Sequence, residues 1–340
     1  MNIAASPAVS IVLPFQNEAE HVAECLESIR RQTLEDWELL AIDDGSEDGS
    51  PEIVRAFAEG DARVRLIRPG RVGLVGALNR GIDEARAPLV ARMDADDVMH
   101  PDRLRAQADF LGAHPEIAVA GTRVELFPEE RIRDGYREYV RWQNGCVTPE
   151  EIAADVYVES PFAHPSVMMR IDVLRRVGGY AEGPFPEDYE LWLRMHAAGC
   201  RMARVPRVLL AWRERPERTS RVDPRYARDA FDHLRARFLA RDPRLRSGRE
   251  MVIWGAGRKT RLRARHLMDE GVRPIAWIDI DPDKIGRTVW DLPVHPPEWL
   301  ERAPRPFVLV YVASHGAREL IAARLAAMGY RAGDDWLAVG

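Results

Sequence analysis

Short apolar runs of β-branched character recur along the first hundred or so residues of this chain, and three of them end in clusters of polar or acidic side chains. Val9-Ser-Ile-Val-Leu-Pro14 leads into Phe15 to Glu18. Trp37 to Ile42 is closed by Asp43-Asp44-Gly45-Ser46, and Leu89 to Met93 by Asp94-Ala95-Asp96-Asp97. Runs of this length and branching, bounded by turn residues, read as buried strands. Between them the apolar residues fall at helical spacing. Asn17 and Glu18 are expected to open a helix carrying Val22, Leu26 and Ile29; a second begins near Pro51 and a third covers Leu74 to Ala85, with Val64 to Ile67 as a further strand. Strands alternating with helices of about ten to fifteen residues make a parallel α/β sheet. Such sheets take ligands beyond the carboxyl ends of their strands. Three ends here carry polar clusters, so the functional crevice is expected there.

A chain of 340 residues is long enough for two domains, and 46% hydrophobic content supplies a core for each. That composition excludes disordered and low-complexity classes. A formal net charge of −5 removes any global electrostatic case for nucleic-acid binding. Cys25, Cys146 and Cys200 form no CxxC pair and no disulfide framework, which fits a reducing compartment. No apolar run is long enough to span a membrane, and the stretch MNIAASPAVS lacks signal-peptide character. A cytoplasmic protein is the expectation. Of 49 basic residues only Lys259 and Lys284 are lysine; base composition accounts for such a bias, although the guanidinium fork also suits bidentate contacts to phosphate and carboxylate.

Residues 201–250 hold 15 arginines against 7 acids and include an amphipathic helix near Tyr226 to Leu239. Arg241 to Gly248 reads as a polar linker. A second α/β pattern then starts at Met251-Val-Ile-Trp254, continues through Gly255-Ala256-Gly257 and a helix to a strand at Ile275 to Ile278, and ends with a strand at Phe307 to Val312 and a helix around Arg318 to Met328. The expected domains are therefore residues 1–247 and 248–340.

Three carboxylates within Asp94 to Asp97 repel one another unless a cation sits among them, and oxygen-only ligands suit Mg²⁺ or Mn²⁺ arriving with substrate phosphates. An acidic surface turn explains the same residues without a ligand. Asp43 and Asp44 at a strand end suit a base N–H or a ribose hydroxyl, or simply cap the following helix. Glu187 and Asp188 open a helix, where they either compensate its dipole or supply a general base, since an ordinary Asp pKa of about 3.9 leaves the carboxylate ionised at neutral pH.

Taken in order, these segments resemble the family 2 glycosyltransferases of GT-A fold. The resemblance covers residues 8 to about 220 and rests on Val9 to Glu18, Ile42-Asp-Asp-Gly-Ser46, Gly73 with Ala77, Asn79 and Gly81, and Ala91-Arg-Met-Asp-Ala-Asp-Asp97 with Pro101, Arg103 and Gln107. It continues through His164-Pro-Ser-Val-Met-Met169, Gly178-Gly-Tyr180 and Glu187-Asp-Tyr-Glu-Leu-Trp-Leu-Arg194. It implies a Rossmann-like mixed sheet and an inverting, metal-assisted transfer of sugar from a nucleotide donor, a UDP-sugar by expectation, to a hydroxyl of a glycan or lipid-linked glycan. By the same resemblance Pro14, Phe15, Asn17, Glu18, Asp43, Asp44, Asn79 and Asp94 would bind the donor. Asp96 with Asp94 would hold Mn²⁺ or Mg²⁺. Asp188 would be the base with Glu187 beside it, and His164 and Trp192 would line the acceptor side.

The sequence departs from the family where a Tyr-Arg-x-His stretch often completes the metal site. Here Trp212-Arg-Glu-Arg215 stands there, and arginine, having only donors, ligates no cation; it would contact the diphosphate instead. No histidine motif for zinc is present, neither HExxH nor a Cys/His cluster. In the C-terminal region Gly255-Ala-Gly257 and Asp279 resemble a dinucleotide-binding fingerprint, but Thr260 replaces the third glycine. A structural or partner-binding module is expected there and NAD(P) is not. The arginine-dense stretch suits peripheral contact with an anionic inner membrane face. The alternatives are a sugar nucleotidyltransferase and a non-catalytic nucleotide-sugar scaffold.

Overall fold

A computed structural model describes residues 6–216, 218–312 and 316–340, with the side chain of Thr219 excepted. The first five residues of the stretch read for a targeting signal lie outside the described residues. The chain divides into two compact units that are not two consecutive segments: one comprises residues 1–152, 161–183 and 198–222, the other 153–160, 184–197 and 223–340.

In chain order the elements are β1 (Val9–Phe15), α1 (Val22–Arg30), β2 (Trp37–Asp43), α2 (Ser50–Gly60), β3 (Val64–Ile67), α3 (Gly73–Glu84), β4 (Leu89–Arg92), β5 (Val98–Met99), α4 (Arg103–Ala113), β6 (Ile117–Phe127), α5 (Asp134–Gly145), α6 (Pro149–Asp155), β7 (Met168–Arg170) and α7 (Ile171–Arg176). There follow α8 (Glu187–Ala197), β8 (Arg201–Arg213), α9 (Thr219–Val222), α10 (Arg228–Leu239), β9 (Met251–Trp254), α11 (Arg258–Asp269), β10 (Ala276–Ile278), β11 (Thr288–Val289), β12 (Leu292–His295), β13 (Phe307–Val310), α12 (Ala317–Ala327) and β14 (Trp336–Ala338).

The first unit is built on an eight-stranded sheet in the order β3-β2-β1-β4-β7-β6-β8-β5. Every residue of β1 and β2 is buried, as continuous apolar runs in a covered parallel sheet demand. Strands β1 to β4 are parallel, as their spacing predicts. Beyond them the sheet is mixed, because β7 runs antiparallel to both β4 and β6. A mixed sheet of this kind is what the resemblance implies. Helix α3 lies close on β1 because of Gly81: a Cβ there would meet Val12 Cγ1 at 2.4 Å.

One helix starts later than its sequence pattern suggests. Residues 17–21 precede α1 as bends and turns, and Asn17 has φ +57°, a left-handed conformation that cannot begin an α-helix but is one asparagine tolerates. The arginine-dense segment is not helical throughout. Its first part is β8, where Arg204 is buried and donates to the carbonyls of Cys146, Thr122 and Pro161.

The second unit carries a six-stranded sheet in the order β11-β12-β10-β9-β13-β14, parallel except for β11. The expected linker is pinned rather than loose. Asp242 accepts from the Tyr157 hydroxyl at 3.0 Å and pairs with Arg244, which also donates to the Gly333 carbonyl. Arg235 is likewise buried and paired with Asp232. Much of the positive charge of residues 201–250 is thus neutralised inside the two units. Among the described residues no helix is long and apolar enough to cross a membrane.

Candidate active site

The ends of β1, β2 and β4 in the first unit gather the predicted donor residues, and hydrogen bonds show what each side chain does. Pro14 and Phe15 are buried within β1 itself. Asn17 ties two strand-end loops together: its backbone N–H donates to Ser46 Oγ at 3.0 Å while its Oδ1 accepts from the Glu47 N–H at 2.8 Å. Asp43 is buried, accepting from the Ser46 N–H and pairing with Arg68 at 3.0 Å. Asp44 Oδ1 accepts from the Val72 and Gly73 N–H groups at 2.6 and 2.9 Å, so it satisfies orphan donors at the start of α3.

Asn79 is clamped in both directions to one backbone unit. Its Nδ2 donates to the Tyr180 carbonyl and its Oδ1 accepts from the Tyr180 N–H, each at 2.9 Å. Gly179 is required beside it: φ is +66°, and a Cβ would sit 2.6 Å from Asn79 Oδ1. The carboxamide is therefore committed to positioning the Gly178-Gly-Tyr180 turn, a role the sequence reading as a donor ligand did not foresee. His164, expected on the acceptor side, is buried with Nε2 2.7 Å from the Tyr180 hydroxyl. Burial, aided by the nearby Arg92 charge, holds its pKa well below the ordinary range, so the ring is neutral.

The acidic turn after β4 is the electrostatic centre of this unit. One oxygen from each of Asp94, Asp96 and Asp97 lies within 4.8 Å of the others. Asp94 is paired with Arg92, and Asp97 accepts from the Arg213 N–H at 2.7 Å. Asp97 is only 1% exposed, and its Oδ2 is buried with no hydrogen-bond partner. Burial first, and then the fields of neighbouring carboxylates, raise the pKa of both Asp96 and Asp97. A cation relieves such a cluster, and all-oxygen donors suit Mg²⁺ or Mn²⁺. The residues present thus fit a divalent ion, with Asp97 added to the predicted Asp94 and Asp96.

Arginines intrude on the same cluster. Arg215 Nε lies 2.9 Å from Asp96 Oδ2, and its Nη1 donates to Glu18 Oε2 at 3.0 Å. Burial opposes the charge on Arg215, but the hydrogen bond to Glu18 and the field of Asp96 raise its pKa. Glu18 is desolvated strongly enough that its pKa rises to about 7 despite Arg215. Arg218, donating to the Tyr136 hydroxyl at 2.7 Å, adds a further positive field at the three aspartates. Beside this cluster opens a cavity of about 540 Å³ lined by His21, Arg131, Arg133, Arg215 and Arg221, with Glu20 and Glu214 on its wall.

The remaining predicted residues belong to the second unit. Asp188 stands in the first turn of α8, partly exposed, with Oδ1 accepting from the Tyr189 N–H at 2.7 Å and Oδ2 accepting a long 3.4 Å bond from the Ser160 hydroxyl. Glu187 is buried and accepts from the Tyr226 hydroxyl at 2.6 Å. Trp192, expected to line the acceptor side, is fully buried; the apolar face of α8 takes it into packing, so its ring presents no surface to an acceptor. In the C-terminal fingerprint, Asp279 Oδ2 accepts from the Ala256 N–H at 2.8 Å and lies 3.4 Å from Lys284, which commits that carboxylate to its own glycine loop. The absence of a linear histidine motif for zinc does not exclude a convergence in space. Asp229, His233 and His266 converge, because two stand on α10 and the third on α11, a juxtaposition no linear motif encodes.

The sheet order and the strand-end carboxylates accord with the GT-A fold that the sequence resembles. Residues 10–178 match the model of "Glycosyl transferase family 2". The chain is 31% identical over 204 residues to the amylovoran biosynthesis glycosyltransferase AmsE of Erwinia amylovora, an alignment covering 60% of this chain and 74% of that protein. It is 32% identical over 214 residues to the putative glycosyltransferase EpsE of Bacillus subtilis, covering 61% and 73%. It is 29% identical over 190 residues to the O-antigen biosynthesis glycosyltransferase WbnJ of Escherichia coli, covering 55% and 71%. The fold also matches S. aureus TarS 1–349, solved in complex with UDP-GlcNAc, with a TM-score of 0.53 and 17% identity over 68% of this chain and 72% of that one. The chain belongs to glycosyltransferase family 2 and is an enzyme of that class.

Proposed function

We propose that this enzyme transfers a sugar from a nucleotide donor, a UDP-sugar in the first instance, to a hydroxyl of a glycan or lipid-linked glycan, with inversion at the anomeric carbon. The observation that carries the reading is the Asp94 to Asp97 cluster, with its buried, unpartnered Asp97 oxygen at a strand end of a GT-A sheet. The UDP-GlcNAc named for TarS supports a nucleotide sugar, and the amylovoran and O-antigen biosynthesis named for AmsE and WbnJ support a glycan acceptor. Residues 1–247 are proposed as the transferase domain and 248–340 as a structural or partner-binding module.

Asp94, Asp96 and Asp97 would hold Mn²⁺ or Mg²⁺, which when bound supplies charge neutralisation for a departing diphosphate. The chain's own contribution lies in positioning and proton transfer. Arg215 and the arginines around the adjacent cavity present planar donors suited to phosphate oxygens. Asp188 is the proposed general base. Its carboxylate takes the proton of the acceptor hydroxyl as that oxygen attacks the anomeric carbon, and the bond to the donor phosphate breaks with its electron pair leaving on the nucleoside diphosphate. A single displacement turns an α-linked donor into a β-glycoside.

Thermal unfolding with UDP, GDP, CDP and dTDP, each with Mn²⁺ and then with chelator, tests the reading, because a ligand that binds the native state raises Tm. The expected result is stabilisation by UDP that is lost on chelation. No stabilisation by any of the four overturns the nucleotide-sugar assignment.

A further inference from the structure

Outside the site described above, one cluster of side chains carries coordination chemistry of a different kind. Asp229 and His233 stand one turn apart on α10, where residues four apart share a face. His266 comes from α11, which packs against α10 within the second unit. His233 Nε2 lies 3.4 Å from Asp229 Oδ2, and His266 Nε2 lies 3.3 Å from Asp229 Oδ1. The imidazole centroids are 3.9 Å apart with planes inclined at 51°. One ligand atom from each residue lies within 4.8 Å of the other two.

From these positions we propose that Asp229, His233 and His266 form a binding site for a transition-metal dication of the Zn²⁺ class, clipping α10 to α11. Bonds of about 2.0–2.2 Å in a tetrahedral arrangement put adjacent ligand atoms roughly 3.3–3.4 Å apart. The carboxylate-to-imidazole separations have that length, one to each Asp229 oxygen, and one ligand atom of each residue lies near enough to the other two to share an ion. An ordinary ion pair is a poorer account of the arrangement. Asp229 is three-quarters exposed and His233 nearly two-thirds, so pairing in solvent contributes little. Two imidazoles turning Nε2 to one carboxylate offer two nitrogens and an oxygen to a single cation.

The donor set distinguishes this site from the aspartates after β4. Two imidazoles and one carboxylate suit Zn²⁺, Ni²⁺ or Cu²⁺, whereas the all-oxygen cluster suits Mg²⁺ or Mn²⁺. Exposure of Asp229 and His233 gives an ion a route in, and three protein ligands leave a fourth position for water. The ion would join two helices whose sequence positions are far apart, so its binding to the native state raises stability.

The test uses full-length protein without a histidine tag, stripped of metal and titrated with Zn²⁺ against a chromophoric competitor in excess Mg²⁺. Wild type is expected to bind one tight equivalent, to rise in Tm on binding, and to give the visible absorption of a low-symmetry site with Co²⁺. His233→Gln and His266→Gln are each expected to weaken Zn²⁺ by more than about 100-fold, since losing even an outer-sphere partner costs roughly 10–100-fold. The double variant should lose the Co²⁺ absorption, and His233→Gln, made in the exposed ring, should keep the wild-type Tm in chelator. Failure of wild type to bind Zn²⁺, or undiminished binding by the double variant, overturns the proposal.

Discussion

Arg215 Nε sits 2.9 Å from Asp96 Oδ2, so a permanent cation already occupies one side of the carboxylate cluster proposed to hold a metal ion. A residue that shares charge neutralisation with an ion makes the enzyme less dependent on it. Arg215→Ala is expected to lower kcat by about 10²- to 10³-fold at saturating Mn²⁺, the range for losing a group that stabilises developing charge, and to leave activity steeply dependent on cation concentration. Arg215→His, which restores a potential ligand, is expected to raise the affinity for Mn²⁺. Turnover measured across a cation titration decides the matter, and wild-type behaviour in both variants would sink the assignment.

Glu18 gives this cluster a pH dependence whose sign follows from its position. Burial is the largest influence on it and lifts its pKa from 4.5 to about 7 in spite of Arg215. Between those values the native state binds more protons than the unfolded chain, so the contribution of Glu18 to stability is full below pH 4.5 and is lost as pH rises toward 7. Denaturant midpoints of the metal-free protein should therefore shift in favour of Glu18→Gln, relative to wild type, as pH is raised from 5 to 8. Asp96 and Asp97 are raised in the same direction, so the variant keeps a residual slope. A pH-independent difference between the two proteins would contradict the buried state of Glu18.

Asn79 separates a structural role from a ligand-binding one. Both atoms of its carboxamide are spent on the Tyr180 backbone, and truncation leaves a buried N–H and carbonyl without partners. Asn79→Ala is expected to cost roughly 1–3 kcal/mol of stability, read by chemical denaturation, with nucleotide affinity changed less than about threefold once the protein is folded. A large loss of UDP affinity at unchanged stability would return Asn79 to the donor site.

Much of the first unit was legible in the residues because its strands are continuous apolar runs ended by turn chemistry. β3 and β9 fall on the expected residues, and the boundaries of β1, β2 and β4 differ by a single residue. The short antiparallel β7 escaped this reading, since three residues carry no periodicity. β8 escaped it because arginines interrupt its apolar residues, and Arg204 finds its partners in backbone carbonyls far away in sequence. The acidic turn after β4 was visible as a charge cluster. The tasks of Asp44 and Asn79 were not, because each depends on which backbone groups the fold delivers to it: the N–H groups of Val72 and Gly73 in one case, the Tyr180 peptide in the other. Asp229, His233 and His266 were invisible for the same reason.

Neighbouring acids at the start of α8 are expected to behave unequally. Glu187 is buried against the Tyr226 hydroxyl, while Asp188 is partly exposed, with Oδ1 accepting from the Tyr189 N–H and Oδ2 a long bond from the Ser160 hydroxyl. A base must reach its proton, and only the exposed group can do so without rearrangement. Asp188→Asn is therefore expected to lower kcat by about 10²- to 10⁴-fold, the usual contribution of a positioned general base, with UDP affinity within about twofold of wild type. Glu187→Gln preserves an acceptor for Tyr226 and should act mainly on stability, lowering Tm more than kcat. Steady-state kinetics, nucleotide titration and thermal unfolding on the two variants distinguish the roles. If Glu187→Gln abolishes turnover while Asp188→Asn retains it, the base has been assigned to the wrong carboxylate.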